Sequence, residues 1–190
     1  MPRLGVFGGA FDPPHMGHIT VAAHALAVGR LDKLLIVPCW KHSFNKKMSP
    51  FIDRLQMCYD TFQPVFGNRV EVLLAESVWK TKYTVDMIGH LQHSRHVSLA
   101  TDQIVFIVGA DEFENLDRWH QSEDLRKMVE FFKVRRGIGA GPQQFTVPDV
   151  NSSFIRNQIA LQGSTDGLEE LIASGVEKYI RKNGLYLEKV

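Results

Sequence analysis

The densest chemistry in the chain lies near its N-terminus, in Gly8-Gly9-Ala10-Phe11-Asp12-Pro13-Pro14-His15-Met16-Gly17-His18. Glycines placed after an apolar run allow a tight turn and the close approach of a phosphate. A helical pattern starts near Met16, so backbone N–H groups and the positive end of a helix dipole point at the same place. His15 and His18 are three residues apart and share a face of the first turn. Gly17 between them leaves room for a ligand. Two imidazoles over a phosphate site can stabilise charge developing on phosphoryl oxygens. A lone histidine in such a place caps a helix or packs. The strand, the glycines and the H-x-G-H spacing together point to phosphoryl chemistry.

These residues need a scaffold, and the periodicity of the chain describes one. Strands are predicted over residues 4–8, 34–37, 70–74, 104–108 and 131–134, with a sixth over 145–147. Helices are predicted over residues 16–28, from a Ser49 cap with Pro50 at the first helical position to about Phe62, from a Thr84 cap to Gln92, from Ser122 for a short stretch, and over 153–161 and 175–182. Strands that are almost wholly apolar, such as Ile104-Val105-Phe106-Ile107-Val108, are expected where both faces of a sheet are covered. The alternation therefore implies an α/β fold: a Rossmann-like, doubly wound, mostly parallel sheet with helices on both faces. In such sheets ligands bind beyond the carboxyl ends of the strands, where strand order reverses. The loops after the first and fourth strands are thus the expected place for chemistry.

A length of 190 residues fits one domain spanning 1–190. The 44% apolar and 23% charged shares are those of a globular chain. A net charge of +1 gives no bulk attraction to nucleic acid or to an anionic membrane, so neither is an expected partner, and any anionic substrate must be held by local geometry. Cys39 and Cys58 show no CxxC spacing and read as reduced thiols. No apolar stretch approaches the roughly 20 residues of a membrane span, and no signal-peptide pattern opens the chain. A cytoplasmic location is expected. Self-association into a homo-oligomer is left open.

The H-x-G-H segment resembles the signature of the nucleotidyltransferase superfamily, which includes pyridine mononucleotide, phosphopantetheine and cytidylyl transferases. A second signature of that group, I-S-S-T-x-I-R, is similar to Val150-Asn151-Ser152-Ser153-Phe154-Ile155-Arg156, with Asn151 and Phe154 as departures. Gly109-Ala110-Asp111 followed by Leu116-Asp117-Arg118-Trp119 resembles the G-x-D…L…W segment of bacterial nicotinate mononucleotide adenylyltransferases. Lys82-Tyr83-Thr84-Val85-Asp86 resembles their S-Y-T-x-D segment, Val134-Arg135-Arg136-Gly137 their V-x-R-P-G loop, and residues 176–186 their closing V-x-x-Y-I…L-Y helix. The resemblance runs from Leu4 to Tyr186.

The resemblance implies an enzyme that joins the AMP part of ATP to the 5′-phosphate of nicotinate or nicotinamide mononucleotide, with ATP and the pyridine mononucleotide as partners and Mg2+ bound mainly through the ATP phosphates. It implies His15 and His18 as catalytic residues. ATP would be bound by Gly8, Gly9, Phe11, Gly17, Gly109, Asp111, Arg135, Ser152, Ser153 and Arg156, with Arg135 to Gly137 beside the adenine. The mononucleotide would be bound by Tyr83, Thr84 and Trp119. Lys46 or Lys47 of the basic loop after the second strand is a candidate phosphate ligand, and Arg54 is either a phosphate ligand or a scaffold residue. No protein metal ligands are expected, and His90, His93 and His96 read as a solvated helix surface. Two alternatives stand beside this reading: a phosphopantetheine adenylyltransferase-like enzyme, and a nucleotide-binding sensor without turnover.

Overall fold

The computed structural model describes residues 2–41, 47–94, 103–135 and 150–187. Five strands, β1 (Arg3–Gly9), β2 (Lys33–Pro38), β3 (Val70–Val72), β4 (Gln103–Gly109) and β5 (Glu130–Val134), pair in the order β3-β2-β1-β4-β5. Every pairing is parallel. The order reverses between β1 and β4, which pair in register through Phe7 and Ile107. Gly9 and Gly109 each lie two residues beyond that pair, so the two glycine-bearing strand ends sit side by side at the switch point.

The helices are α1 (Met16–Val28), α2 (Phe51–Phe66), α3 (Ala75–Trp79), α4 (Thr84–Gln92), α5 (Ala110–Glu114), α6 (Ser122–Met128), α7 (Ser152–Gln162) and α8 (Ser174–Asn183). The central strands explain why the sequence alternates so little there. Leu34, Leu35, Ile36 and Val37 of β2 are all 0% exposed. Leu35 and Val37 join one core with Met87, Ile88 and Leu91 of α4, while Leu34 and Ile36 join another with Ala22 and Leu26 of α1 and Leu55 and Phe62 of α2. Burying each such side chain contributes about 2 kcal/mol. A third cluster, Met57, Ile155, Ile159, Leu168, Ile172, Val176, Ile180 and Tyr186, binds α7 and α8 onto α2. It carries the C-terminal quarter of the chain back to the sheet's carboxyl end.

Several local expectations are corrected. Ser49 does not cap α2; Pro50 occupies that position, and the helix runs past Phe62 to Phe66 through Pro64. Its apolar face, with Leu55, Cys58 and Phe62 buried, is held by packing, and a proline two residues before the end removes only one late N–H bond. Thr84 is the first residue of α4 and the extended Tyr83 precedes it as the cap. The third strand is shorter than expected because Leu74 already leads into α3. Neither α3 nor α5 was visible in the sequence, since five residues are too few to show a helical period. The expected sixth strand at 145–147 lies outside the described residues. Among the described residues no helix is long and apolar enough to cross a membrane.

Candidate active site

Beyond β1 the chain turns sharply. Phe11 has a positive φ of 49°, and its ring is 1% exposed. The ring folds back over Gly9, where an added Cβ would stand 3.2 Å from it. It meets Phe7 edge-on at 5.4 Å, Phe62 at 5.9 Å and His18 at 4.9 Å between centroids. Phe11 is thus the floor beneath His18. The expectation that it contacts ATP can apply only to its backbone.

His15 caps α1 in an extended conformation, and its ring lies 3.8 Å from that of His18, tilted by 37°. The backbone N–H of His15 donates to Nδ1 of His18 at 3.2 Å. With Nδ1 accepting, the neutral His18 ring carries its proton on Nε2, an assignment made from the hydrogen bond. That makes Nε2 a donor. The helix start offers less than the sequence suggested: Met16 N–H donates to the Leu171 carbonyl and His18 N–H to the His15 carbonyl, both at 2.8 Å. Those two N–H groups are therefore satisfied within the protein.

The second signature arrives from the far end of the chain. Asn151 caps α7, its side chain accepting from Phe154 N–H at 2.8 Å, so one departure from the family pattern supplies a cap. Ser152 Oγ donates to the Pro13 carbonyl at 2.9 Å. Arg156 Nη1 donates to the Asp12 carbonyl at 2.7 Å, and Nη2 to Ser153 Oγ at 3.1 Å. The structure therefore brings Ser152, Ser153 and Arg156 against the turn that bears the two histidines. The Ser152 hydroxyl proton, expected to face ATP, instead fastens α7 to that turn.

At the neighbouring strand end, Gly109 caps α5, and a Cβ there would stand 2.5 Å from Asp111 Oδ1. The glycine lets the exposed Asp111 carboxylate lie over the end of β4. Trp119 is half-buried and meets Phe106 edge-on at 6.1 Å. Tyr83 stacks on His120 at 4.2 Å and 27°. The Tyr83-Thr84 and Trp119 segments are thus neighbours, joined through His120, a contact whose only signal in the sequence was its place beside Trp119. Arg135 is exposed just past β5, whose Val134 pairs with Gly109. Arg136, Gly137, Lys46 and His96 lie outside the described residues; Lys47 is exposed. His90 stacks on Trp79 at 5.5 Å, and His93 Nδ1 meets the Gly89 carbonyl at 2.8 Å.

Of the two roles weighed for Arg54, its partners are those of a scaffold. It is 1% exposed, and donates to the carbonyls of Ser49, Ala10 and Cys39 at 3.0, 2.8 and 2.8 Å. One guanidinium thus ties both ends of the basic loop to the turn after β1. Nearby, the buried Glu76 accepts from Trp40 N–H at 2.8 Å. Burial lifts its carboxyl from 4.5 to about 7, opposed by the Trp40 hydrogen bond and the Arg54 charge. Burial likewise pushes the Cys39 thiol up to about 11, which keeps it protonated and unreactive.

The raised Glu76 value has a consequence for stability. The folded state binds the proton more tightly than the unfolded chain, so stability falls as pH rises from about 4.5 through about 7. Glu76→Gln keeps an oxygen for Trp40 N–H and removes this loss. Its advantage over wild type should grow to as much as about 3 kcal/mol above pH 7. Melting temperatures of both proteins at low and high pH check this; a gap independent of pH would exclude it.

A family model described as cytidylyltransferase-like matches residues 6–158. The nicotinate-nucleotide adenylyltransferase of Bacillus subtilis (strain 168) is 32% identical to the chain, covering 98% of it and 99% of the relative. The chain belongs to the cytidylyltransferase-like family, on the branch of the nicotinate-nucleotide adenylyltransferases. Its fold is also that of the Plasmodium falciparum nicotinic acid mononucleotide adenylyltransferase, solved in complex with NaAD, at a TM-score of 0.78 and 17% identity, covering 100% of this chain and 99% of that one. A second structure of the same Plasmodium protein, complexed with APC, gives a TM-score of 0.76 at 17% identity with the same coverage.

Proposed function

We propose that the protein transfers AMP from ATP to the 5′-phosphate of nicotinate mononucleotide, releasing pyrophosphate and forming the dinucleotide used to make NAD. One observation carries this reading: the His15–His18 pair stands at the switch point of the sheet with Ser153 and Arg156 of α7 brought against the same turn. The full-length likeness to the Bacillus subtilis relative supports the choice of acceptor.

The reaction is an in-line displacement. An oxygen of the mononucleotide phosphate bonds to the α-phosphorus of ATP as the bond to the bridging β-phosphate oxygen breaks, and pyrophosphate leaves with that electron pair. The substrate phosphate is already a nucleophile, so catalysis consists of positioning and charge stabilisation. His18, donating from Nε2, faces the α-phosphate, and His15 holds the triphosphate beside it. Ser153 and Arg156 hold the leaving pyrophosphate. Asp111 accepts from a ribose hydroxyl and Arg135 lies beside the adenine. Both Asp12 oxygens already accept protein donors, from Tyr186 at 2.7 Å and Ser49 at 3.1 Å. With those oxygens taken, Mg2+ would be carried on the triphosphate, where it would neutralise phosphate charge while keeping most of its water. The free thiols of Cys39 and Cys58 support a cytoplasmic site of action.

The test is a pyrophosphate-release assay with ATP and, in turn, nicotinate mononucleotide, nicotinamide mononucleotide and phosphopantetheine. Turnover with nicotinate mononucleotide preferred is expected. Turnover with phosphopantetheine alone, or none at all, overturns the reading. The same assay examines the pyridine pocket. Trp119 stacked on the ring contributes about 1 kcal/mol beyond its burial. Trp119→Ala should therefore raise the KM for the mononucleotide about fivefold and leave that for ATP unchanged. Equal binding of the mononucleotide by mutant and wild type removes Trp119 from the pocket.

A further inference from the structure

Asp12 lies within the turn that leads from β1 to the two histidines. It is 2% exposed, and three distant parts of the chain converge on it. Tyr186, beyond the last helix, donates its hydroxyl to Oδ1 at 2.7 Å. Ser49, at the end of the basic loop, donates its backbone N–H to Oδ2 at 3.1 Å. Arg156 donates to the Asp12 carbonyl at 2.7 Å. Two bulky residues beside this junction hold left-handed backbone: Phe11 at φ 49° and Tyr186 at φ 65°. Side chains of that kind rarely adopt this conformation, and where they do the surroundings impose it. Burial and the Asp12 carboxylate both push the Tyr186 hydroxyl up, so it stays protonated and serves as a donor at any working pH.

We propose that Asp12 and Tyr186 form a positioning pair, through which the C-terminal segment sets the height of the catalytic turn and the end of the basic loop. The proposal rests on the transfer reaction above. Neither residue touches substrate. Asp12 fixes the turn three residues before His15, and the same carboxylate fixes Ser49, two residues after Lys47. The pair therefore sets His18 relative to the α-phosphate, while the pyridine and adenine contacts lie elsewhere. Its loss should slow the chemical step more than it weakens binding, because a displacement on the order of 1 Å at the reacting groups costs about a hundredfold at most, whereas remote contacts are unaffected.

The test uses Tyr186→Phe, which keeps the buried ring and removes only the donor, with Asp12→Ala and the double variant. Wild type is assayed first; if it shows no transfer, the reaction assignment fails and not the pair. With wild type active, Tyr186→Phe is expected to lower kcat about tenfold while the KM values for ATP and mononucleotide stay within about twofold. Asp12→Ala, which leaves the Tyr186 hydroxyl and the Ser49 N–H without their acceptor, should do at least the same, and the double variant should lose no more than Asp12→Ala alone, because both substitutions remove the one Tyr186–Asp12 contact. A Tyr186→Phe protein that matches wild type in kcat overturns the proposal. So do multiplied losses in the double variant, or losses that fall on both KM values in step with a lowered melting temperature. If Asp12→Ala does not fold, the Tyr186→Phe split between kcat and KM decides alone.

Discussion

His18→Ala is expected to lower kcat by roughly a hundredfold or more, the size of losing a donor aimed at developing charge. The structure gives this a specific atom. Nδ1 of His18 accepts the His15 backbone N–H, so Nε2 carries the proton and the ring cannot turn without breaking that bond. The Phe11 ring beneath it blocks one face. A preorganised donor of this kind costs no reorganisation when the reaction occurs. Alanine there should fold, since His18 is only half-buried and alanine favours a helix. Steady-state kinetics with circular dichroism as the control check the result. A well-folded mutant with near-normal kcat would show that another group stabilises the α-phosphate. His18→Gln, which can present its amide N–H near the position of ring Nε2, should recover part of the loss.

Arg156→Lys should reduce kcat/KM for ATP by about a hundredfold, a loss of about 3 kcal/mol of charge-assisted hydrogen bonding. The guanidinium bridges the Asp12 carbonyl and Ser153 Oγ through two different nitrogens. It thereby joins α7 to the catalytic turn with one rigid group that can still offer further N–H donors to pyrophosphate. A lysine ammonium is a single point and cannot span the three positions. Binding of the mononucleotide, followed by Trp119 fluorescence, should be unchanged. Unaltered ATP kinetics in the lysine variant would take Arg156 out of the site.

Much of this was legible along the chain. The bounds of α1 and the core of each of the five strands follow from runs of apolar residues and from glycine and proline. Those signals act within short windows, where sterics and burial repeat with a fixed period. The H-x-G-H spacing brought the two imidazoles together for the same reason: two histidines three apart on a helix start must be neighbours. Errors came where one local chemistry serves two ends. Ser49 before Pro50 reads as a helix cap, but its N–H and carbonyl are taken by Asp12 and Arg54. Arg54 reads equally as a phosphate ligand or a strut, and three carbonyls make it a strut.

What the sequence by itself determined is the five strands, the longer helices and the position of the turn that bears the two histidines. What only the tertiary structure decided is which residues hold that turn. Ser152 meets Pro13 across 139 positions, Arg156 meets Asp12 across 144, and Tyr186 meets Asp12 across 174. No local period encodes such contacts. They exist because Met57, Ile155, Ile159, Val176 and Ile180 bury one another between α2, α7 and α8, and hydrophobic burial is non-directional. It carries the C-terminal helices to the sheet, and only once they are there can hydrogen bonds of defined length select their partners.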